Sequence, residues 1–300
     1  MDDGDMSTRD SALPDGLTRH DGDAPSLVVD TPAGRGEIHL DGACVTRWAP
    51  AGADEVLFLS DRSRHGEGVA IRGGVPLCAP WFATGRTKDR SPRHGFFRTV
   101  RWSLTEARRD DDDVTVVLEL PPLTRIADVP GVTGVPADLT ATYTVTMGAQ
   151  LRMALMITSP SEPFELEEAL HTYLRVSDVT TVRLEGLDGA RYADRAPGGR
   201  AVNAQSGDVT LLRETDRVYA SSETVTVVDG DRRLVVAKAG SNSTVVWNPW
   251  ERKAAELEDL GDEEWRTMLC VETANALAGR VSLDAGESHT MTATISVRED

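Results

Sequence analysis

Apolar and polar residues alternate with a period of two through most of the chain beyond residue 25. The alternation is clearest in residues 113–120, 139–147 and 151–158. Val, Thr and Ile dominate these runs, as is typical of strands that bury one face. Short turns rich in Gly and Asp separate them. The pattern predicts a large all-β protein, a sandwich or barrel of many antiparallel strands.

A hairpin and one helical segment complete this prediction. Residues 224–228 and 233–237 flank an Asp-Gly-Asp sequence that suits a tight hairpin turn. Helical periodicity is scarce and is best developed in residues 249–260. There Asn248 is a candidate N-cap, and Pro249 stands at the first helical position.

The first residues have a different composition from the rest. Residues 1–25 are rich in Asp, Gly, Ser and Thr and contain almost no large apolar residues. Such a segment cannot bury enough surface to offset the entropy lost on ordering. We therefore predict a disordered acidic tail over residues 1–25, with a solubilising role favoured over the capture of a basic partner. No linker or internal repeat follows, so residues 26–300 are predicted to form one domain.

Charge and composition exclude several classes of protein. The chain has 32 Lys and Arg against 49 Asp and Glu, a net charge of −17, which repels nucleic-acid backbones. No run approaches the roughly 20 apolar residues of a membrane-spanning helix, and no secretory signal precedes the domain. Three widely spaced cysteines argue against a disulfide framework or a CxxC metal site. We expect a reduced, cytoplasmic protein that binds neither nucleic acid nor membrane.

Two of the six histidines lie in unusual surroundings. His94 lies beside a glycine, which allows close backbone approach, and near two arginines. His171 lies in residues 168–176, and if this run is a strand, His171 and Tyr173 share a polar face. Such a face can line a wet binding groove, but spacing alone favours an ordinary solvated face.

Glu272 is the candidate carboxylate. In residues 268–273 it shares a strand face with Met268 and Cys270, an apolar setting. Desolvation there would raise the pKa of Glu272 and suit it to proton transfer near neutral pH. A strand-end carboxylate that faces water fits the spacing equally well.

The marked concentration of basic residues lies in residues 86–98, with Arg72 upstream. Arginine binds phosphate and carboxylate through planar, bidentate contacts, and this group suits a small anion better than a polymer. Nucleotide-binding, zinc-protease, serine-hydrolase and calcium-binding motifs are absent from the sequence. The candidate histidines and Glu272 are not at short metal-ligand spacings, so no metal is expected.

Six short segments can be compared with known families. They are residues 70–82 (AIRGGVPLCAPWF), 94–98 (HGFFR), 170–176 (LHTYLRV), 186–194 (GLDGARYAD), 247–262 (beginning WNPW and ending LGD) and 270–272 (CVE). In type and order they resemble motifs of the glucose-6-phosphate 1-epimerases, also called hexose-6-phosphate mutarotases. The resemblance extends from about residue 36 to the end of the chain.

The resemblance implies a fold and a set of site residues. The fold is the galactose-mutarotase-like β-supersandwich of large antiparallel sheets, with the site on a concave face. The matching catalytic residues are Glu272 as base and His171 as acid. The matching sugar-phosphate contacts are Arg72, Arg98 and Asp194, with His94 also in the site. Arg93 is a further candidate substrate-binding residue. Arg93, Phe97 and Ala83 depart from the family pattern and leave the exact sugar or anion open.

We therefore expect an isomerase that interconverts the α and β anomers of a hexose 6-phosphate without a cofactor. A carboxylate and an imidazolium on opposite sides of the hemiacetal would open and reclose the ring. One alternative is an aldose 1-epimerase that acts on non-phosphorylated sugars. Another is a non-catalytic sugar-phosphate-binding module, which the presence of both His171 and Glu272 disfavours. The expected partner is a small sugar phosphate, and the expected assembly is a monomer.

Overall fold

The computed structural model describes residues 13–299, and most of them lie in short antiparallel strands. In chain order the strands are β1 Leu17–His20, β2 Ser26–Thr31, β3 Gly34–His39, β4 Cys44–Pro50, β5 Leu77–Cys78, β6 Ser103–Asp110, β7 Asp113–Glu119, β8 Thr140–Met147, β9 Leu151–Ser159, β10 Phe164–Leu166, β11 Glu168–Leu170, β12 Tyr173–Arg175, β13 Arg183–Glu185, β14 Arg191–Asp194, β15 Asn203–Ala204, β16 Val209–Thr210, β17 Thr215–Ala220, β18 Val225–Asp229, β19 Arg232–Ala239, β20 Ser243–Asn248, β21 Met268–Asn275, β22 Val281–Leu283 and β23 Glu287–Glu299. One α-helix, α1, spans Trp250–Ala254. Short 3₁₀ turns occur at Phe97–Thr99, Leu123–Arg125, Val132–Gly134, Glu264–Thr267 and Leu277–Gly279.

The strands form two large sheets and two small ones. A nine-stranded sheet has the order β16-β13-β18-β19-β23-β9-β8-β7-β6. An eight-stranded sheet has the order β15-β14-β17-β20-β21-β11-β5, and β12 also pairs with β21. Strands β1 to β4 form a third sheet in chain order, and β10 pairs with β22. The predicted all-β fold with large antiparallel sheets is confirmed.

The two large sheets pack face to face around one core. In the nine-stranded sheet, Tyr143 pairs with Leu155 across β8 and β9, and both side chains are buried. In the eight-stranded sheet, Val246 of β20 pairs with Val271 of β21, and both belong to the same apolar cluster. Residues that pair directly share a face of the sheet. The alternation along each strand therefore separates a core face from an outer face.

Strand β21 departs from this simple alternation because all eight of its residues are buried. One face, with Val271, packs in the core between the sheets. On the other face, Ala274 packs in a second apolar cluster with Phe82 and Ala83, and Glu272 lines a cleft. A strand covered on both sides excludes water from any polar group that it carries.

The helix is shorter than the sequence pattern predicts. The helix begins at Trp250 and ends at Ala254, whereas the prediction covers residues 249–260. Pro249, predicted at the first helical position, is the N-cap residue, and Asn248 lies one residue before it. The side-chain oxygen of Asn248 accepts a hydrogen bond from the Trp250 amide at 2.8 Å. Among the described residues, no helix has the length and apolar character needed to cross a membrane.

The predicted boundary of the N-terminal tail is wrong for residues 13–25. Leu17–His20 forms a strand, β1, that pairs with Ser26–Thr31, and the Leu17 side chain is 6% exposed in the core. Composition predicted a tail because the segment has few apolar residues. Backbone pairing with the edge of β2 and the burial of one leucine are enough to order it. Residues 1–12 of the predicted tail lie outside the described residues.

Candidate active site

The register of three neighbouring strands builds the floor of a cleft on the outer face of the eight-stranded sheet. Val245 of β20 pairs with Glu272 of β21, and Trp247 of β20 pairs with Asp216 of β17. Val245 and Trp247 are two residues apart on one strand, so all four side chains share one face. These four residues line a cleft of about 390 Å³, a volume in the range of small-molecule sites.

His171 joins this floor from a break between two short strands. Glu168–Leu170 and Tyr173–Arg175 both pair with β21 in one continuous register, which places His171 opposite Glu272. The His171 amide donates to the Pro76 carbonyl at 3.0 Å and not to a carbonyl of β21. The prediction of a solvated strand face at His171 and Tyr173 is wrong, because these residues are only 8% and 2% exposed.

His171 and Glu272 form a direct contact in the cleft. Nε2 of His171 lies 3.4 Å from Oε1 of Glu272, and the glutamate is 1% exposed. Within residues 13–299, neither Nδ1 of His171 nor Oε2 of Glu272 has a hydrogen-bond partner. The two groups therefore lie side by side, and not on opposite sides of a sugar as expected.

Burial sets the protonation of this pair. It lowers the pKa of His171 to about 3, and the charges of Arg98 and Arg72 add to this effect. Burial also raises the pKa of Glu272 well above its usual range, with a further contribution from Asp216. At neutral pH the imidazole of His171 is therefore neutral, and burial favours the protonated carboxylic acid form of Glu272. A neutral imidazole beside a carboxylic acid holds the same single proton as an imidazolium beside a carboxylate.

His94 lies next to His171, with the ring centroids 5.8 Å apart. Its backbone has a positive φ of 67°, and the following Gly95 has no room for a Cβ against the Ala79 carbonyl. The Ala83 amide donates to Nδ1 of His94 at 3.2 Å. Burial, followed by the charge of Arg98, lowers the pKa of His94 well below its usual value. His94 is therefore neutral and carries its proton on Nε2, as a hydrogen-bond donor.

The predicted arginines all line the cleft. Arg72 is already engaged, because its Nε donates to Asp259 at 3.1 Å and its Nη1 to the Tyr173 hydroxyl at 3.0 Å. Arg98 donates through Nη2 to the Arg93 carbonyl at 2.7 Å. Its Nε is buried without a partner in the described part of the chain, and so can serve a ligand.

Asp194 does not line the cleft, contrary to the prediction. It pairs with Arg217, whereas the cleft face of β17 carries Asp216, one residue away. Neighbouring residues of a strand point to opposite faces, so Asp194 lies on the core side. There its carboxylate contacts Arg213 at 3.5 Å and Arg217 at 3.7 Å.

Sequence reasoning missed several residues of the cleft. These are Phe82, Arg195, Glu214, Asp216, Val245, Trp247, Lys253 and Leu257. Trp247 stood within one of the motifs, but its role as floor depends on strand pairing that the sequence does not reveal. Counting all residues that line the cleft, five basic residues face three acidic residues. In the described residues no group of three or more His, Cys, Asp or Glu is placed to bind a metal ion.

The cleft on the sheet face, the His–Glu pair and the excess of cations can be compared with known families. A family model described as "Aldose 1-epimerase" matches residues 25–296. The chain belongs to the aldose 1-epimerase family. The family predicted from the six sequence segments is thereby confirmed.

Related sequences of the aldose 1-epimerase family have similar length. A protein of Escherichia coli (strain K12) named "Putative glucose-6-phosphate 1-epimerase" is 34% identical over 253 residues, 83% of each chain. A protein of Cenchrus ciliaris with the same name is 32% identical over 265 residues, which cover 84% of this chain and 78% of the relative.

Two solved structures have the same architecture as this chain. A protein of Salmonella typhimurium, described as a "putative mutarotase", matches with a TM-score of 0.86 and 30% identity, over 96% of this chain and 95% of its own. Galactose 1-epimerase from Lactobacillus acidophilus NCFM matches with a TM-score of 0.65 over 94% and 98% of the two chains. At 12% identity, the second match shows the fold alone. The predicted galactose-mutarotase-like fold is confirmed.

Proposed function

We propose that this protein interconverts the α and β anomers of a hexose 6-phosphate, and that Glu272 and His171 exchange protons with the hemiacetal. The observation that carries the proposal is the buried contact of 3.4 Å between His171 and Glu272 on the floor of a small cleft. Binding alone does not require an acid–base pair kept away from water. The names of the relatives as glucose-6-phosphate 1-epimerases support the substrate class.

Ring opening starts from the neutral pair. The Glu272 proton passes to His171 across the 3.4 Å contact, which leaves a carboxylate beside an imidazolium. The carboxylate then takes the proton of the C1 hydroxyl while the imidazolium protonates the ring oxygen. The C1–ring-oxygen bond breaks with its electron pair on that oxygen, and the C1 carbonyl forms. The neutral pair is regenerated beside the open-chain aldehyde.

Side-by-side placement suits this step, because the C1 hydroxyl and the ring oxygen are bonded to the same carbon. Rotation about the C1–C2 bond presents the other face of the carbonyl, and the reverse transfers close the ring as the second anomer. Each well-placed proton-transfer group contributes on the order of 10²–10⁴ in rate. No metal or other cofactor takes part in this scheme.

Other cleft residues would hold the sugar and its phosphate. Neutral His94 would donate through Nε2 to a sugar oxygen, and Asp216 would accept from hydroxyl groups. Arg98 offers its buried Nε to the phosphate, with Arg72 beside it. Arg93 is exposed at the mouth. Anchoring the remote phosphate restricts the motion of the reacting carbon and leaves C1 free to turn.

The test follows anomer exchange directly. Protein is added to freshly dissolved α-glucose 6-phosphate, and the two anomeric proton signals are recorded by NMR against the spontaneous rate. The proposal expects strong acceleration by the wild type and a near-spontaneous rate with Glu272→Gln. Equal rates for the two proteins would overturn it.

A second candidate is an epimerase for non-phosphorylated aldoses. The engagement of Arg72 by Asp259 and Tyr173 favours it, because this arginine has fewer donors left for a phosphate. The same NMR assay with α-glucose decides between the two, since a phosphate-specific enzyme accelerates glucose 6-phosphate far more. We further propose a monomer in a reducing cytoplasm, which would suit the buried free thiols of Cys44, Cys78 and Cys270.

A further inference from the structure

Among the described residues, no neighbouring residue gives His171 the hydrogen bond that usually fixes a catalytic imidazole. Catalytic histidines are commonly oriented by a partner on the second ring nitrogen. Here Nδ1 is buried and has no such partner within residues 13–299. Rotation of an imidazole about its χ2 angle is a broad, soft motion. Some other contact has to hold the ring plane if Nε2 is to face Glu272.

The ring of Tyr173 provides that contact. It stacks on the imidazole of His171 with centroids 4.8 Å apart and an interplanar angle of 13°. Trp247 meets the two rings edge-on, at 6.0 Å from His171 and 6.1 Å from Tyr173. The imidazole is therefore supported on one face and at one edge by buried aromatic rings, and a turn about χ2 would break both contacts.

Arg72 in turn holds Tyr173. Its Nη1 donates to the tyrosine hydroxyl at 3.0 Å, while its Nε donates to Asp259 at 3.1 Å. The side chains of Arg72 and Asp259 are 22% and 29% exposed, so the pair is partly screened from water. One continuous line of contacts thus runs from Asp259 through Arg72 and Tyr173 to His171.

We propose that Tyr173 is a positioning residue for the epimerisation, whose ring sets the plane of the His171 imidazole while Arg72 anchors its hydroxyl. The proposal rests on the proposed role of His171 as the acid. It gives Arg72 a function that does not depend on a phosphate group in the substrate. Loss of the stack should therefore affect turnover of phosphorylated and free sugars alike.

Three variants test the Arg72–Tyr173 and Tyr173–His171 contacts separately. Tyr173→Leu removes the ring, Tyr173→Phe keeps the ring and removes the hydroxyl, and Arg72→Met removes the anchor. The matched control is Tyr219→Phe. Tyr219 is a fully buried tyrosine of the same sheet whose hydroxyl also accepts from an arginine, Arg217 at 3.4 Å, but on the core face.

The kinetic readout is kcat and KM for glucose and for glucose 6-phosphate. We expect Tyr173→Leu to lower kcat by about 10²-fold for both sugars, since a misplaced catalytic group costs about that much. Tyr173→Phe should restore most of that loss and retain a deficit of about three- to tenfold, shared by Arg72→Met, and the control should match the wild type. Unchanged kcat in folded Tyr173→Leu would overturn the proposal. An Arg72→Met variant that changes only KM for glucose 6-phosphate would overturn the anchoring role.

A second readout is independent of activity. In protein labelled with ¹⁵N-histidine, the ring signals of His171 should report one ordered imidazole in the wild type and in the control. In Tyr173→Leu they should broaden or average, and in Tyr173→Phe they should stay sharp. If the wild type proves inactive on both sugars, the proposed function fails while this measurement still decides the positioning role. Identical His171 signals in Tyr173→Leu and the wild type would overturn it.

Discussion

Burial has a larger effect on the chemistry of Glu272 than any single partner. A carboxylate on the surface would be ionised at neutral pH, whereas Glu272 is 1% exposed and its pKa is raised by desolvation. The same desolvation lowers the pKa of His171. Two groups in contact titrate as one unit, and burial favours the state of this unit that holds one proton. That proton is what ring opening needs.

The first prediction concerns the base. Glu272→Gln keeps the shape of the side chain and removes the proton-transfer group, so turnover should fall by roughly 10²–10⁴. Sugar-phosphate affinity should change only a few-fold, because the loss lies in the transition state. His171→Asn should show a similar loss. Rates come from NMR exchange and affinities from calorimetry, and near-normal turnover in either variant would refute the assignment.

The second prediction is the pH dependence of turnover. A second proton adds to His171 only near pH 3, and this form lacks a base. Loss of the single proton requires a pH above the raised pKa of Glu272, and this form lacks an acid. Turnover should therefore show no acid limb in the ordinary histidine range and should fall only at acidic pH well below 6. Glucose is the better probe, because phosphate itself titrates near pH 6. An acid limb centred near 6.5 would contradict the pair as described.

The third prediction contrasts two aspartates on opposite faces of one sheet. Asp216→Asn removes a charge that raises the pKa of Glu272, so catalytic efficiency should fall about tenfold or more and the alkaline limb should move to lower pH. Asp194→Asn weakens contacts to Arg213 and Arg217. It should lower the free energy of unfolding by about 1–3 kcal/mol and leave kcat unchanged. If Asp194→Asn lowers catalytic efficiency and Asp216→Asn lowers only stability, the pairing of β17 with β14 and β20 is wrong.

At the level of elements, the sequence pattern predicts where strands occur better than it predicts which strands pair with each other. The hairpin predicted at 224–228 and 233–237 occurs as β18 and β19, because both strands and their turn are contiguous in sequence. The cleft floor depends on β17, β20 and β21, which come from separate parts of the chain. Period-two alternation assigns a residue to one of two faces of its strand, but the pairing of the strands decides which face lines the cleft. The resemblance predicted Asp194, whereas the pairing puts Asp216, not Asp194, on the cleft face.

The fourth prediction concerns β1, which composition placed in a tail. Leu17 is 6% exposed in the core, so Leu17→Ala should lower the free energy of unfolding by about 2 kcal/mol or more. Leu212, 79% exposed, provides the control, since Leu212→Ala should have almost no effect. Urea unfolding of both variants measures the difference. Equal stabilities would mean that β1 does not stabilise the fold.

At the scale of the whole molecule, the cleft and the surface have opposite character. The chain carries a net charge of −17, yet the residues that line the cleft include more cations than carboxylates. A field of that sign repels a phosphate dianion at a distance. Binding of an anionic sugar would therefore depend on short-range contacts with individual arginines.

The fifth prediction separates the local contact from the overall field. Arg98→Ala and Arg108→Ala change the net charge equally, but Arg108 lies on β6 at the edge of the other large sheet, 56% exposed. A hydrogen bond to a charged group contributes about 1.5–3 kcal/mol, or roughly ten- to over a hundredfold in affinity. Arg98→Ala should raise KM by that factor for glucose 6-phosphate and much less for glucose. Arg108→Ala should raise neither appreciably, and Arg93→Ala should have an intermediate effect because its side chain is exposed at the mouth. If Arg98→Ala raises KM equally for both sugars, the role of Arg98 is structural. The non-phosphorylated aldose then becomes the better-supported substrate.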